Sequence, residues 1–197
     1  MHRCPDADRQ ARAALGTFFA QRGFPRDSEA EYRAALRLDP HYTPAAINLA
    51  DLFRRTGRDS EGSQILRAAI ETSPFDAALR HALGLALVRA KQYEQALGEL
   101  RRAVELDPGQ ARYSYIYAIA LNSVGRHQDA LVVLKDNLER HPADRDTLMA
   151  LVSISRDAGD PVSALDYAQQ LARNAPDDLS VAGLIDGLRR QTAPAAR

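Results

Sequence analysis

Five prolines, Pro40, Pro74, Pro108, Pro142 and Pro176, each close a related phrase, and every neighbouring pair is 34 residues apart. The phrases read LRLDP, IETSP, VELDP, LERHP and ARNAP. Self-similarity at a fixed period of this length means a supersecondary unit repeated along the chain, in which no unit buries its apolar face alone and neighbours must stack. A chain of 197 residues, 45% of them hydrophobic, would otherwise be read as one or two globular domains. The period makes it an array.

The interior of each unit follows by counting back from its proline. Leu15, Leu49, Leu83, Tyr117 and Leu151 place a large apolar side chain 25 residues before it. The next position is mostly small, with Gly16, Ala50, Gly84, Ala118 and Val152, as a close approach of two helices requires. Phe19, Phe53, Leu87, Leu121 and Ser155 follow four residues beyond the small one, on the same helical face. These positions define a first helix. Gly23, Gly57, Lys91, Gly125 and Gly159 stand where it should end, four of the five being the residue type that terminates helices in the left-handed conformation. A second helix then starts, marked by Asp27 and Ser28, by Asp59 and Ser60, and by Asp160 ahead of Pro161, in the roles of N-cap residues and a proline at the first helical position. Its inward stripe has spacings of four, as in Gly62, Leu66 and Ile70 or Ala130, Leu134 and Leu138. Proline, which lacks a backbone donor, ends it.

Residues 9–178 therefore hold five helical hairpins, at 9–42, 43–76, 77–110, 111–144 and 145–178, after an N-terminal extension at 1–8. The stretch DDLSVAGLIDGLRRQ predicts an eleventh helix over 179–191, with Leu184, Ile185 and Leu188 inward and Arg189 and Arg190 outward. Such a helix caps the last hairpin against water. Residues 192–197 read as a disordered tail. The small residue 24 before the proline, the alanine 12 before it and the proline itself resemble the tetratricopeptide repeat, most closely in ALRHALGLALVRAKQYEQALGELRRAVELDPG. The resemblance implies an all-α, right-handed α-solenoid of five hairpins plus the capping helix. Departures from its pattern are the missing tryptophan 28 before each proline, Asn137 and Leu171 in place of alanine, and Ser155 and Ala168 in the fifth unit. They predict weaker packing toward the C-terminal end.

The 26 basic and 26 acidic residues cancel, which argues against a nucleic acid or an anionic membrane as partner. No apolar run reaches the roughly 18 residues of a membrane span, so no membrane insertion is expected. A phosphate-cradling glycine loop, a paired-histidine zinc helix and a serine nucleophile elbow are all missing from the sequence. His41, His81, His127 and His141 fall at positions that do not converge, and His2 with Cys4 is too small a set for a metal. A single cysteine excludes an internal disulfide framework. The expectation is a non-enzyme with no catalytic residue, no metal and no cofactor. Without a signal-peptide pattern the sequence reads as cytoplasmic as written, or periplasmic if cut from a longer exported chain.

The resemblance also implies where function lies, on a concave groove that the first helices line and that holds a peptide or a partner's helix. A stripe of Ile47, Leu85, Val88, Tyr115, Ile119 and Met149 falls at groove positions. Apolar area of that kind marks an interaction site unless the curvature of the array buries it, and both readings stay open. Asn48, Asn122, Arg89 and Arg112 flank the stripe as donors to a peptide's carbonyls or carboxylates. The expected peptide-binding site is Asn48, Leu85, Arg89, Arg112, Tyr115, Ile119 and Asn122, with Tyr115 and Arg89 as anchors. The clamp by which related arrays grip chaperone C-termini is not expected, because its lysines and asparagines correspond to Ala13, Thr17, Asn48, Ala78 and Ala82, and Asn48 alone fits. Three functions compete: an adaptor that binds a protein or peptide of unspecified identity, a domain of a larger bacterial and exported protein serving assembly, and self-association of one array's end with the next array's groove.

Overall fold

The computed structural model describes residues 5–192, whose regular structure is helical throughout. The hairpins are α1 (Pro5–Gln21) with α2 (Pro25–Leu38), α3 (Thr43–Arg55) with α4 (Asp59–Thr72), α5 (Ala77–Arg89) with α6 (Tyr93–Leu106), α7 (Ala111–Ser123) with α8 (His127–Arg140), and α9 (Arg145–Asp157) with α10 (Pro161–Asn174). The last helix is α11 (Leu179–Thr192). The all-α expectation holds. Contacts divide the array into two compact units, Met1–Leu106 with α1 to α6 and Asp107–Arg197 with α7 to α11. α1 begins at Pro5, four residues ahead of the first repeat boundary expected at 9: a first turn needs no proline N–H, and Asp8 near the start of α1 suits the helix dipole. The expected disordered tail lies, from residue 193 on, outside the described residues.

Both turns of the repeat have one geometry throughout. Gly23, Gly57, Gly125 and Gly159 have φ between 74° and 82°, and Lys91 takes the same left-handed conformation at φ 58°. The following residue donates its N–H to the carbonyl five positions back: Phe24 to Phe19, Arg58 to Phe53, Gln92 to Leu87, Arg126 to Leu121 and Asp160 to Ser155, at 2.7 to 3.0 Å. Each proline stands two residues past the end of its helix, and the residue before it has left the helical conformation, as Asp39 at φ −148° and Ala175 at φ −142° show. Proline sterics impose that departure on the residue before them.

The N-caps are placed differently from the expectation. Asp160 caps α10 and accepts from the Ser163 N–H at 3.0 Å. Asp27 lies inside the first turn of α2, whose N-cap is Phe24 and whose N1 is Pro25, and Ser28 is fully buried. Asp59 and Ser60 are the first residues of α4, behind Arg58. The side-chain caps that sequence reading passed over are Asp76 on α5, accepting from Ala78 and Leu79, and Asp144 on α9, accepting from Thr147.

Within each of the first three hairpins the two helices meet where a glycine removes a side chain. A Cβ on Gly16 would stand 2.8 Å from the Tyr32 ring, and one on Gly84 would stand 2.6 Å from Leu100 Cγ. In the second hairpin the glycine is on the other helix, and a Cβ on Gly62 would meet the Ala50 carbonyl at 3.0 Å. Leu49, Leu83 and Leu151 are buried as predicted, whereas Leu15 is 39% exposed because, among the described residues, no earlier hairpin covers α1. Against α11, Leu148, Val152 and Leu171 pack with Val181, Ile185 and Leu188, and Arg189 and Arg190 face water.

The predicted loosening toward the C-terminal end is corrected at Asn137. This residue is wholly buried, and its Nδ2 donates to Thr147 Oγ1 at 2.7 Å and to the Ala111 carbonyl at 3.2 Å. Thr147, also buried, has its N–H bound by the Asp144 cap. A polar tie between α8, α9 and the start of α7 replaces the small apolar contact. Ser155, Ala168 and Leu171 are likewise buried.

In the first unit, Arg58 bonds both Glu61 and Glu29 at 2.6 Å and lies 4.2 Å from the Phe53 ring centroid, joining the first two hairpins. Hydrogen bonds to Glu61 and Glu29 push the Arg58 pKa further up, and the bond to Arg58 holds Glu61 below the usual carboxylate range.

Replacing Gly84 by leucine should overpack against Leu100 and cost on the order of 1 to 3 kcal/mol, read as a lower melting temperature. Lys91→Gly should raise stability by up to about 1 kcal/mol, since a left-handed backbone is costly for any residue with a Cβ. Asp160 and Asp178 are held below the ordinary carboxylate range, the first by hydrogen bonds from Ser163 and the second by bonds from Ser180 and Arg145. A folded-state pKa below the unfolded one stabilises fully above the unfolded value, about 3.9, and that contribution disappears as pH falls through it toward the folded value. Thermal melts of Asp160→Asn combined with Asp178→Asn should therefore fall less steeply below about pH 4 than those of the parent chain.

Candidate functional site

In the first unit α1, α3 and α5 lie side by side and present the positions that the repeat leaves out of its core. On α3, Ile47, Asp51, Arg54 and Arg55 recur at helical spacing on one face. Between α3, α4 and α5 is a cavity of about 130 Å3 floored by Ile47, Ala50, Leu66, Leu85 and Ala86. Two ion pairs edge it, Arg54 to Asp51 at 2.6 Å and Arg89 to Asp59 at 3.7 Å. All four side chains are about half exposed, so these pairs are weak and can exchange partners with a ligand. A second cavity, about 150 Å3, lies between α1 and α3 and is lined by Thr17, Gln21, Asn48, Asp51 and Arg55. Asp51 borders both cavities. The structure thus brings Asn48, Leu85 and Arg89 onto one surface of the first unit.

The other four predicted residues belong to the second unit, all on α7. Arg112 and Ile119 are exposed, and Tyr115 and Asn122 are half-buried. Asn122 Oδ1 is 2.6 Å from His127 Nδ1, which fastens it to the first turn of α8. Met149 is exposed on α9, the helix beside α7. Ile47 and Val88 pack partly against the core of the first unit, so the predicted apolar stripe is shared between core and surface. His81, on α5, is buried.

Sequence reasoning missed the share of α4. Asp59, Gly62, Ser63 and Leu66 line the rim and floor of the cavity between α3, α4 and α5, but counting assigned the groove to first helices alone. The one available signal was Gly62, standing where later units have alanine. Among the described residues no group of three His, Cys, Asp or Glu side chains could hold a metal ion, and no helix is long and apolar enough to cross a membrane. What the surface offers is contact, an apolar floor edged by exchangeable charges.

The family model described as Anaphase-promoting complex, cyclosome, subunit 3 matches residues 41–137, and the one described as Tetratricopeptide repeat matches residues 123–178. No curated protein sequence matches the chain at a significant level. Among solved structures, pilF of Pseudomonas aeruginosa is similar with a TM-score of 0.76 at 21% identity, over 95% of this chain and 85% of that one. A MamA protein gives 0.72 at 16% identity, over 88% and 94%. YrrB, described as a TPR protein with an unusual peptide-binding site, gives 0.67 at 19% identity, over 89% and 90%. At such identities the likeness shows the fold alone. With five hairpins in a 34-residue register, and with family matches that together run from residue 41 to 178, the chain belongs to the tetratricopeptide repeat family.

Proposed function

We propose that the chain is a non-catalytic interaction module that holds a segment of a partner protein against the first helices of its repeats. The observation that carries this reading is the cavity between α3, α4 and α5, apolar in its floor and charged at its rim. A cavity of roughly 150 Å3 with apolar walls accommodates a benzene-sized group, so one large aliphatic or aromatic side chain of the partner fits here. Arg89, whose link to Asp59 is long and exposed, is placed to take a carboxylate next to that anchor, and an arginine fork does so with two hydrogen bonds. The printed description of YrrB as a peptide binder supports the reading by analogy of fold. On the second unit, Arg112, Tyr115, Ile119 and Asn122 supply an aromatic and amide surface of their own. The repeats are divided as 9–42, 43–76, 77–110, 111–144 and 145–178, closed by α11, and the function requires no cofactor.

Selection of random displayed peptides against the whole chain should enrich sequences with a large apolar residue beside an acidic one. Leu85→Ala with Arg89→Ala should weaken the best of these by about 2 kcal/mol, or roughly thirtyfold in Kd by anisotropy, with helical circular dichroism unchanged. Enrichment without any such motif, or binding indifferent to the double substitution, would remove the cavity from the function.

A further inference from the structure

Inside each unit, every first helix that follows another hairpin buries the same three positions against it. They are Ala45, Leu49 and Leu52 on α3, Leu79, Leu83 and Ala86 on α5, and Thr147, Leu151 and Ile154 on α9, none more than 6% exposed. The corresponding residues of α1 are Ala11, Leu15 and Phe18, and all three are exposed, Leu15 at 39% and Phe18 at 47%. Of the eleven large hydrophobic residues exposed in the described part of the chain, four belong to this first hairpin: Leu15, Phe18, Phe24 and Leu38. Leu15 and Leu38 line a hollow of about 300 Å3 with Ala11, Asp8 and Arg12. Such a concentration of apolar surface marks an interface rather than scattered exposure.

We infer that this stripe of α1 is a self-complementary dimer surface, occupied by α1 of a second copy running antiparallel about a twofold axis at Leu15. The charges select that occupant. Asp8 and Arg22 lie seven residues before and seven after Leu15, close to the same helical face and about 21 Å apart along the axis. A twofold axis at Leu15 sets Asp8 of each copy opposite Arg22 of the other, giving two ion pairs at the ends of one apolar seam. Asp8 has Arg12 one turn further on as its electrostatic neighbour and faces the hollow beside Leu15, and the Arg22 guanidinium lies over Phe18, 5.0 Å from its ring centroid, at the edge of the stripe. Sizes match as well. The small Ala11 of one copy falls within a residue of the bulky Phe18 of the other. The outer face of α11 differs, since it carries one exposed large apolar residue, Leu179, followed by Gly183, Asp186 and Arg190. This surface is independent of the peptide cavity described above, so either can fail alone.

The test is the solution mass of the chain over about a hundredfold range of concentration, which should pass from monomer to dimer. Ala11→Arg, at an exposed position whose replacement leaves the hairpin core untouched, should raise the dissociation constant by about thirtyfold or more, and Phe18→Asp should do the same, both with unchanged helical circular dichroism. Asp8→Arg and Arg22→Asp should each weaken the dimer, and the two together should restore it to within about threefold of the parent. A mass that stays monomeric throughout would overturn the proposal and assign the stripe to another occupant, such as a preceding segment of a longer polypeptide or a different protein. A dimer indifferent to Ala11→Arg, or a double charge exchange no tighter than the single ones, would overturn it equally.

Discussion

The architecture depends on one backbone hydrogen bond repeated five times, from the residue after each left-handed position to the carbonyl five residues back. That bond closes the first helix and sets the angle at which the second helix returns. Once the angle is set, the position 24 before each proline faces the second helix, and in the first and third hairpins the approach is close enough to require glycine there. That need is met from either side: Gly16 and Gly84 yield to Tyr32 and Leu100, while Gly62 yields to the backbone of Ala50. What recurs in these three hairpins is the close approach, with the helix that supplies the glycine free to alternate.

This explains how much of the molecule was legible in the sequence. The period, the eleven helices and the buried stripe follow from positions that every unit must satisfy in the same way, so five copies average out local exceptions. Lys91 is such an exception, and only its register with four glycines identifies it as a left-handed residue. The caps were less legible because aspartate has two roles near a helix start, as N-cap and as a favourable charge in the first turn. Asp27 and Asp59 play the second role, and Asp76 and Asp144 the first. Residue type alone does not separate them; the position of the helix start does.

Asn137 shows a different limit. A polar residue at a position that otherwise takes alanine looks like a loss of packing, and a buried amide with no partner would be costly. Ten residues later stands Thr147, whose hydroxyl accepts from Asn137 and whose N–H is taken by Asp144. The three residues form one connected set across α8 and α9, and such sets favour a single arrangement of the helices they join. Its Oδ1 meets no donor among the described residues, so the tie is incomplete. Pairing across two helices is tertiary information, and no window on a single helix contains it.

Positions outside the core are where the units differ, and there the two halves of the chain have diverged in chemistry. The first unit sets Asp51, Arg54, Asp59 and Arg89 around an apolar cavity, whereas α7 of the second presents Tyr115, Ile119 and Asn122 with a single charge, Arg112, at its start. Charged rims weaken with salt and discriminate partners by sign, while an aromatic and amide surface does neither to the same degree. Leu15 and Leu49 make the complementary point, since one residue type at one place in the repeat is surface on α1 and core on α3. Whether such a leucine serves stability or recognition is decided by whether a hairpin lies over it, a property of its place in the array that its local sequence does not carry.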